Sequence, residues 1–493
     1  MEKLYSLVQT DDSRKADLYI RGQSSHPVLK SALHKDEILD FCTYFNSISI
    51  KKWRQYTTIQ QVMLELSVQG SFELTVSMYS PSGEQILIQE KINGPIYRKT
   101  WHIDELSGDI AGFSLRALEA GAQCCGGAYY GEFSQWSEKN IGIGICTFKR
   151  EKYVLRTIEH LQEFQKNNKW LQVLVVDNGS TLQEQNKEGL RIIHNRNFGG
   201  SGGFTRAMIE YVDEDQVDYV LLMDDDIVLD STVLERTHSL LCGLKNEYGD
   251  SFLSGAMLTM EQPIIQYENT AYWDKFISKV IHKGLDLSKK ENLISNEVFK
   301  QNNNQYAGWW YCCIPLNRIK EIGYPLPVFI KSDDMEYGIR NKRELLTLNG
   351  IGVWHETFTK KMSPVIRFFS DRNSFILNHY ADRCSRSSLL AAIIGRICKR
   401  LRHKDMASIQ ILYFALQDYY EGFQNITAKD ADMKMNEVAE LTKLPFQWKS
   451  LAGIFRYMLK IIFHYKVVND TYLDFHSQNL KTNTFWKQYL HIE

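Results

Sequence analysis

The segment that most constrains the fold is Tyr219–Ile227, with the sequence YVLLMDDDI. Its apolar residues are enough for one buried strand, which ends abruptly in three carboxylates, Asp224, Asp225 and Asp226. In an open α/β sheet, ligands bind beyond the carboxyl ends of the strands. The segment therefore predicts a strand of such a sheet with a ligand site at its end.

The three aspartates have different predicted directions. Alternate side chains of an extended chain share one face, so Asp224 and Asp226 converge while Asp225 points away. Two converging carboxylates attract a hard divalent cation, which commonly takes substrate phosphates as its remaining ligands. An isolated acidic triplet also occurs as a solvated turn, but the strand before it favours a metal site.

Strand and helix patterns alternate from residue 141 onward. A helical apolar repeat at Glu151–Asn167 separates the first two strands. The predicted strands are Ile141–Thr147, Gln172–Asp177, Leu190–His194 and Asp218–Asp224, followed by Phe252–Met257, Trp309–Ile314 and Val328–Lys331. Strands separated by helices pair in parallel, so the pattern predicts a doubly wound α/β sheet.

The chain of 493 residues is too long for one ordinary core, and its patterns predict three domains. Residues 1–135 carry short alternating strands split by turns, which predicts a β-sandwich or jelly roll. Residues 136–364 are expected to form the α/β domain. Residues 365–493 are predicted to be helical, with Ser387–Leu401 and Leu451–Tyr465 each apolar on one side.

Charge and cysteine content exclude several classes of protein. The net charge of −1 argues against a nucleic-acid binder. None of the nine cysteines forms a CxxC spacing, which argues against a zinc ribbon. The N-terminal segment has no apolar core of a signal peptide, and no apolar run approaches membrane-spanning length, so a cytosolic protein is expected.

The predicted helical region carries a cluster of basic residues. They are Arg396, Lys399, Arg400, Arg402 and Lys404. A basic amphipathic helix is suited to lie on an anionic membrane surface. The same pattern suits a helix that packs on the α/β domain or on another subunit. The sequence leaves both interpretations open.

Polar residues follow the first strands of the sheet and together predict a nucleotide site. Thr147 and Arg150 supply a hydroxyl and a cation for a diphosphate, and Asp177 is able to accept hydrogen bonds from a ribose or a base. The loop Asn195–Arg206, NRNFGGSGGFTR, opens a helix and lets backbone N–H groups approach an anion or a sugar. It lacks the GxGxxG and P-loop patterns, so neither dinucleotide binding nor ATP hydrolysis is favoured.

A second acidic group lies in Phe329–Gly338, FIKSDDMEYG, where Asp333 and Asp334 open a helix and Glu336 occupies its first turn. Carboxylates are favoured at a helix N-terminus, but one cap needs only one of them. The other is available as a general base. Glu336 is predicted to contact substrate.

A histidine and two tryptophans complete the set of candidate residues. His355 ends the apolar segment IGVWHE, and its imidazole is a candidate third metal ligand. A lone histidine is more often a core or surface residue. Trp309 and Trp310 belong to an aromatic run that is usually core, although an indole beside carboxylates forms an apolar wall for a sugar ring.

These parts combine into one reaction. A nucleotide diphosphate held by a metal is a leaving group, because the cation neutralises the charge that develops on it. A carboxylate across the pocket removes the proton from an attacking hydroxyl. The sequence thus predicts transfer of a sugar from a nucleotide-sugar, with inversion at the anomeric carbon.

The order of the motifs resembles that of a known family. The motifs are TFKRE, VVDNGS, NRNFGGSGGFTR, MDDDI, WWYCC, IKSDDMEYG and WHE. Together they resemble the galactofuranosyltransferases of glycosyltransferase family 2, particularly the polymerising enzymes that build galactan. The resemblance is strongest from Ile141 to Glu356. It implies a GT-A (Rossmann-like) catalytic domain between a β-rich N-terminal domain and a helical C-terminal region.

The resemblance also implies roles for individual residues. The residues expected to hold Mn²⁺ or Mg²⁺ are Asp224, Asp226 and His355. Those expected at the uridine diphosphate are Arg150, Asp177 and Asn197, with Asp225 near the nucleotide-sugar. The residues expected at the acceptor are Asp334 as general base, Asp333 beside it, and Trp309 and Trp310 as lining.

The family's donor is UDP-galactofuranose and its acceptor is a lipid-linked glycan at the inner face of the membrane. Peripheral attachment to that surface is therefore expected, and self-association is left open. Ser332 departs from the family, where a larger residue is expected, and this leaves acceptor shape and linkage open. The alternatives are a family 2 enzyme with another donor, such as a rhamnose or galactopyranose donor, and an inactive carbohydrate-binding protein, which the intact acidic motifs disfavour.

Overall fold

The fold is described from a computed structural model of the chain. The structure describes residues 1–22, 28–298, 301–357, 363–382, 384–428 and 431–492. Antiparallel strands come first in the chain, then a mixed α/β region, then helices. No helix in the described ranges combines the length and the apolar character needed to cross a membrane.

The N-terminal region consists of two antiparallel sheets. Its elements are β1 (Glu2–Ser6), β2 (Arg21–Gly22), β3 (Ile38–Asp40), α1 (Ile50–Tyr56), β4 (Ile59–Gln69), β5 (Ser71–Ser80), β6 (Gly83–Asn93), β7 (Ile96–His102), β8 (Ile110–Ala117) and β9 (Gln123–Phe133). The strand orders are β1-β9-β4-β7 and β2-β3-β8-β5-β6. Alternate residues of β4, such as Leu64 and Leu66, enter a core shared with Leu74 and Leu115 of the other sheet. This confirms the predicted sandwich, while its boundary at residue 135 stays a prediction.

The middle of the chain builds one central sheet and two smaller ones. Its strands are β10 (Ile141–Thr147), β11 (Leu171–Asp177), β12 (Gln185–Lys187), β13 (Leu190–His194), β14 (Tyr219–Asp224), β15 (Phe252–Ser254), β16 (Ala256–Thr259), β17 (Ile265–Glu268), β18 (Thr270–Asp274), β19 (Ile277–Ile281), β20 (Leu285–Asp286), β21 (Gln305–Tyr306), β22 (Cys312–Pro315), β23 (Leu345–Leu346) and β24 (Gly352–His355). Its helices are α2 (Glu151–Gln165), α3 (Gly199–Glu214), α4 (Ser231–Cys242), α5 (Lys290–Glu297), α6 (Leu316–Ile322) and α7 (Asp333–Asn341).

The central sheet has the strand order β12-β13-β11-β10-β14-β22-β15-β23. β13, β11, β10 and β14 run parallel, as predicted, and β22 is antiparallel to β14. The carboxyl ends of four predicted strands therefore lie along one edge of the sheet.

Helices cover both faces of this sheet, because alternate strand residues enter two different cores. Ile143 and Val173 pack with α2 and the N-terminal sheets, whereas Leu174 packs with α3 and the C-terminal helices. Glycine in β10 permits the close approach of α3, since a Cβ at Gly142 would lie 2.5 Å from the ring of Tyr211. Burial on both faces explains why these strands are nearly continuous apolar runs.

The predicted strand at Val328–Lys331 is wrong. This segment is a loop in which Phe329, Lys331 and Ser332 have positive φ values of 73°, 67° and 69°. A single apolar run does not distinguish a strand from a buried loop when tertiary contacts hold the backbone. The loop leads directly into α7.

The C-terminal region is helical, as predicted. Its helices are α8 (Pro364–Leu377), α9 (Arg386–Arg402), α10 (Met406–Glu421), α11 (Phe423–Thr427), α12 (Ala431–Lys443), α13 (Trp448–Asn479) and α14 (Thr484–Leu490). They pack against α3, α6 and the loop before α7. This region therefore supports the part of the molecule that carries Asp333 and Asp334.

Candidate active site

The carboxyl end of β14 meets the end of β24, which brings Asp224, Asp226 and His355 together. A bridge between Val228 and Trp354 holds the two chain segments in register. Nε2 of His355 lies 3.2 Å from Oδ1 of Asp226 and 3.6 Å from Oδ2 of Asp224. One ligand atom from each of the three residues lies within 4.8 Å of the others. The structure thus assembles the three residues predicted from distant parts of the sequence.

The second ring nitrogen of His355 fixes the direction of the imidazole. Nδ1 lies 2.6 Å from the carbonyl oxygen of Glu356, which accepts its hydrogen bond. Nε2 then faces the carboxylates, as in metal-binding histidines whose other nitrogen donates to a carbonyl. Two carboxylates and one imidazole form a donor set that fits a divalent cation.

The charges of these three groups depend on each other. Burial lowers the pKa of His355, but the hydrogen bond to Asp226 and the charges of both aspartates outweigh it and raise that pKa to about 9. Burial raises the pKa of Asp224 to about 6, although His355 opposes the shift. Burial acts on Asp226 as well, but His355 and Arg150 hold its pKa below the usual range. The aspartates therefore require a nearby positive charge, which a divalent cation would also supply.

Asp225 points away from the other two aspartates, toward Thr147 and Arg150. Oγ1 of Thr147 donates to Oδ2 of Asp225 at 2.7 Å. Nη1 of Arg150 bridges Oδ1 of Asp225 at 3.2 Å and Oδ2 of Asp226 at 2.8 Å. The side chain of Arg150 is 41% exposed, so this cation stands at the open side of the acidic group.

Asp177 organises a loop rather than facing the open site. Its carboxylate accepts hydrogen bonds from the backbone N–H groups of Gly179, Thr181 and Leu182, at 2.8, 2.6 and 2.7 Å. The residue is fully buried. These hydrogen bonds let Asp177 shape the loop after β11, and its contact with a nucleotide stays a prediction.

A cavity of about 550 Å³ lies beside this loop. Asn178, Ser180 and Asn197 line it from the ends of the parallel strands, and Arg196 adds a cation. Met433 and His491 come from the C-terminal region and close another side. Asn197 thus lines a polar cavity large enough for a nucleoside, and its contact with uridine diphosphate stays a prediction. No local sequence signal links Met433 or His491 to it.

Close packing explains the glycine-rich loop better than contact with an anion does. Gly199 has a φ of 68°, and a Cβ there would lie 2.1 Å from the carbonyl oxygen of Phe329. A Cβ at Gly203 would lie 2.2 Å from Sγ of Cys146. The N–H of Ser201 donates to the Phe329 carbonyl at 3.1 Å. The glycines therefore let the start of α3 dock between β10 and the loop before α7.

Asp333 and Asp334 form a buried pair at the N-terminus of α7. A Cβ at Gly200 would lie 3.3 Å from Oδ2 of Asp333, which places that carboxylate against the start of α3. Oδ1 of Asp334 accepts from the N–H of Met335 at 2.8 Å. Burial and the charge of Asp334 raise the pKa of Asp333, and burial also raises the pKa of Asp334. The charge of Asp334 contributes to the raised pKa of Asp224, so the pair lies near enough to interact with the metal-type group, which is Asp224, Asp226 and His355.

One asparagine of α8 holds the loop that carries this pair. Nδ2 of Asn373, a buried residue, donates to the carbonyl oxygens of Val328, Ile330 and Lys331 at 3.2, 2.8 and 2.8 Å. Positive φ values at non-glycine residues cost free energy and persist only where surrounding contacts impose them. Asn373 supplies such contacts, and the sequence pattern gives no indication of this role.

We expect Asn373→Ala to lower kcat by about 100-fold, because a shift of about 1 Å at a reacting group has that effect. The affinity for UDP should stay unchanged, since Asn373 does not line the cavity beside Asn178 and Asn197. Steady-state kinetics and UDP titration measure the two effects separately. The control is Asn378→Ala on the same helix, which removes a buried amide bonded to Tyr465 and not to the loop. An equal loss of kcat in both variants would contradict a positioning role.

The two predicted tryptophans and Glu336 lie in the core beside the pair. Trp309 packs against Phe204 and Tyr337, and Trp310 donates its N–H to the Gly255 carbonyl at 3.0 Å. Each indole is at least 90% buried. Glu336 is paired with Arg340 at 2.6 Å and accepts from the Leu326 N–H at 3.4 Å. Glu336 thus has contacts within the chain, and its contact with substrate stays a prediction.

Sequence patterns do not reveal one further acidic residue, Glu268 at the end of β17. Burial and the charge of Asp334 raise its pKa to about 8, and Lys283 opposes the shift. Its carboxyl therefore keeps a proton near neutral pH and is able to donate a hydrogen bond as well as accept one. Glu268 adds a polar group to the side of the site that faces Asp334.

Two family descriptions match separate parts of the chain. Residues 143–248 match Glycosyl transferase family 2, and residues 8–110 match Galactofuranosyltransferase 2 N-terminal. The galactofuranosyltransferase GlfT2 of Mycolicibacterium smegmatis is 24% identical over 475 residues, which cover 86% of this chain and 69% of that protein. The protein of the same name from Mycobacterium tuberculosis is 24% identical over 472 residues, which cover 86% and 71%. Residues 143–248 therefore resemble the glycosyltransferase family 2 domain, and most of the chain resembles galactofuranosyltransferases.

These matches confirm the predicted GT-A catalytic domain and glycosyltransferase activity. Among solved structures, residues 1–349 of S. aureus TarS in complex with UDP are 14% identical, with a TM-score of 0.36, over 66% of this chain and 91% of that one. The match to family 2 begins in β10 and ends after α4. It therefore includes the strand ends that carry Thr147 and the three consecutive aspartates.

Proposed function

We propose that this glycosyltransferase moves galactofuranose from UDP-galactofuranose to a hydroxyl of a lipid-linked glycan in cell-surface polysaccharide synthesis, with inversion and with a bound metal. The observation that carries the proposal is the pairing of two acidic groups across one site. Asp224 and Asp226 with His355 form one, and Asp333 with Asp334 forms the other. The sugar is supported by the relatives, which are galactofuranosyltransferases and align with most of the chain.

The metal-type group is assigned to the leaving diphosphate. Asp224, Asp226 and His355 would hold Mn²⁺ or Mg²⁺, whose positive charge stabilises the diphosphate as it leaves. Arg150 already lies at this group and is partly exposed, which suits it to bind a phosphate oxygen. Thr147 orients Asp225 and keeps it apart from the metal ligands.

Asp334 is assigned as the general base. It takes the proton of the acceptor hydroxyl while that oxygen forms a bond to the anomeric carbon and the bond from that carbon to UDP breaks. One displacement from the face opposite UDP inverts the anomeric centre. Asp333 is proposed to act beside Asp334 as the second carboxylate of the pair. Glu268 and the edge of Trp309 are proposed to contact the acceptor.

The acceptor side is proposed to work at a membrane surface. Phe455, Leu459, Phe463 and Val467 follow one another at four-residue spacing on α13, and each is more than half exposed. Such a stripe buries its apolar area in the interface of a bilayer, while nearby basic residues meet anionic lipids. Contact between copies of the chain through the same stripe is the alternative, and vesicle binding at low protein concentration separates the two.

The test is an assay of UDP release by the purified protein. The protein is incubated with UDP-galactofuranose, Mn²⁺ and galactose-terminated lipid acceptors, with and without EDTA. We expect release that EDTA abolishes and a mass gain of one or more hexoses on the acceptor. A gain of one hexose indicates a single addition, and a ladder indicates polymerisation.

Other donors separate the proposal from its alternatives. Release with a rhamnose or galactopyranose donor, but not with UDP-galactofuranose, would keep the two acidic groups in their roles and replace the sugar. Release that continues in EDTA would contradict the metal-dependent mechanism. A protein that binds UDP but transfers no sugar to any acceptor would favour a carbohydrate-binding role.

A further inference from the structure

A cavity of about 400 Å³ lies in the C-terminal helical region, apart from the nucleotide cavity. Helices α8 and α9 and the turn before α10 enclose it. Four cations and two carboxylates contribute to its lining, Arg367, Arg396, Lys399, Arg400, Asp371 and Asp405. These charges sum to an excess of two positive charges, so the cavity attracts anions.

The two carboxylates are already used by three arginines. Oδ2 of Asp371 lies 2.5 Å from Nη2 of Arg400, and its Oδ1 lies 3.4 Å from Nε of Arg396. Asp405 pairs with Arg367 at 3.2 Å. Lys399 has no ion-pair partner among the residues that the structure describes. Positive charge therefore remains available in the cavity after the internal pairs are formed.

One nitrogen of Arg396 is buried without any hydrogen-bond partner in the described part of the chain, Nη1. The rest of its guanidinium contacts the ring of Phe375 at 4.7 Å and donates to Oγ of Ser374 at 2.8 Å. A buried donor without an acceptor is costly and rare in folded proteins. A bound oxyanion is a group that would relieve this cost.

We propose that this cavity binds a phosphate or diphosphate group. Phosphate oxygens accept several hydrogen bonds at once, and arginine forks match them in geometry and charge. The volume exceeds that of one phosphate and leaves space for a second. An apolar ligand would leave the excess charges without a partner.

The site is independent of the proposed sugar transfer, although the two share α8. Asp371 lines the cavity. Asn373, two residues later on the same helix, holds the loop before Asp333. The phosphate group has two sources, a soluble phosphate or diphosphate and the headgroup of a lipid. Both present the same oxygens to Arg396 and Lys399.

Binding is tested by calorimetric titration of the full-length protein with sodium diphosphate in EDTA, which removes metal from the catalytic site. We expect saturable binding of one ion per chain. Lys399→Gln should weaken it by about tenfold or more, the scale of one charged hydrogen bond. Lys399 is exposed and unpaired, so this variant should keep its fold. Arg396→Gln is a second variant, and its melting temperature shows whether it remains folded.

The matched control is Arg402→Gln, which removes one positive charge from the same helix outside the cavity. Its affinity for diphosphate should equal that of the unmodified protein. No saturable binding, or equal weakening in the Lys399 and Arg402 variants, would overturn the proposal, because the effect would then be one of overall charge.

Sedimentation with phosphatidylcholine vesicles that contain either phosphatidic acid or phosphatidylserine distinguishes the two sources. The site would be assigned to a lipid headgroup if the protein binds vesicles with phosphatidic acid more strongly than vesicles with phosphatidylserine. This difference should be lost in Lys399→Gln and kept in Arg402→Gln. Diphosphate binding that depends on Lys399, with vesicle binding unchanged in that variant, would assign it to a soluble ligand.

Discussion

Asp334→Asn should lower turnover by about 10²–10⁴-fold, the usual contribution of a general base. Asparagine has the shape of aspartate and keeps an oxygen for the Met335 N–H, but it takes no proton from an acceptor hydroxyl. Binding of UDP should remain close to that of the unmodified protein, because the metal-type group and the nucleotide cavity are untouched. Single-turnover kinetics with UDP titration measure both quantities. Normal turnover in this variant would remove Asp334 from the mechanism.

The pH profile gives a second check on the same residue. Burial raises the pKa of Asp334, and the charge of Asp334 helps to raise the pKa of Asp333. A base acts only when ionised, so kcat should rise with pH and reach a plateau above the usual range for aspartate. Asp333→Asn leaves the burial of Asp334 in place, so the rise should stay at a similar pH. A rise that moves clearly to lower pH in that variant would show that the charge of Asp333, and not burial, raises the pKa of Asp334.

The sequence was sufficient to predict the four parallel strands of the central sheet, whereas the predicted strand Phe252–Met257 is divided between two sheets. Runs such as Ile141–Thr147 and Leu190–His194 are apolar, short and separated by helical patterns, so period and length both favour strands. The structure has strands with those bounds. Val328–Lys331 has the same local character, but Asn373 and Ser201 bind its carbonyl groups and hold it as a loop. The conformation of this loop therefore depends on residues that are more than 40 positions away in the sequence.

The candidate site was predictable where its residues end strands. Asp224, Asp226 and His355 follow apolar runs that predict strands. β14 and β24 belong to different sheets, and the bridge between Val228 and Trp354 brings their ends together. Glu268 ends a short strand without a distinctive motif. Met433 in α12 and His491 directly after α14 reach the cavity beside Asn197 from the far end of the chain. Local sequence carries no information on such long-range contacts.

Two predicted site residues have contacts within the chain. Asp177 and Glu336 are acidic residues at strand and helix ends, which is the pattern of a ligand contact. Their carboxylates contact backbone N–H groups or Arg340. A carboxylate at such a position either binds a ligand or accepts hydrogen bonds from the protein itself. Only the hydrogen bonds of the folded protein distinguish the two.

Asp226→Ala should abolish the metal dependence of UDP binding. Asp226 contacts both His355 and Arg150, so its loss removes one ligand and the group that orients another. Loss of a group that only supports a metal ligand weakens metal affinity by about 10–100-fold. Loss of the ligand itself should weaken metal affinity by at least the same factor. UDP affinity measured with and without Mn²⁺ should then be equal and should match that of the unmodified protein in EDTA.

Asp218→Asn is the matched control, because Asp218 lies next to the opposite end of the same strand and bonds to the Asn140 N–H at 2.8 Å. It should retain the response to Mn²⁺. The pKa of His355 provides a readout that does not depend on activity. Asp226 raises that pKa against the effect of burial, so in EDTA the alanine variant should show a lower value by NMR. Unchanged metal dependence together with an unchanged His355 pKa would mean that the cation binds elsewhere, whereas loss of both places it between the ends of β14 and β24.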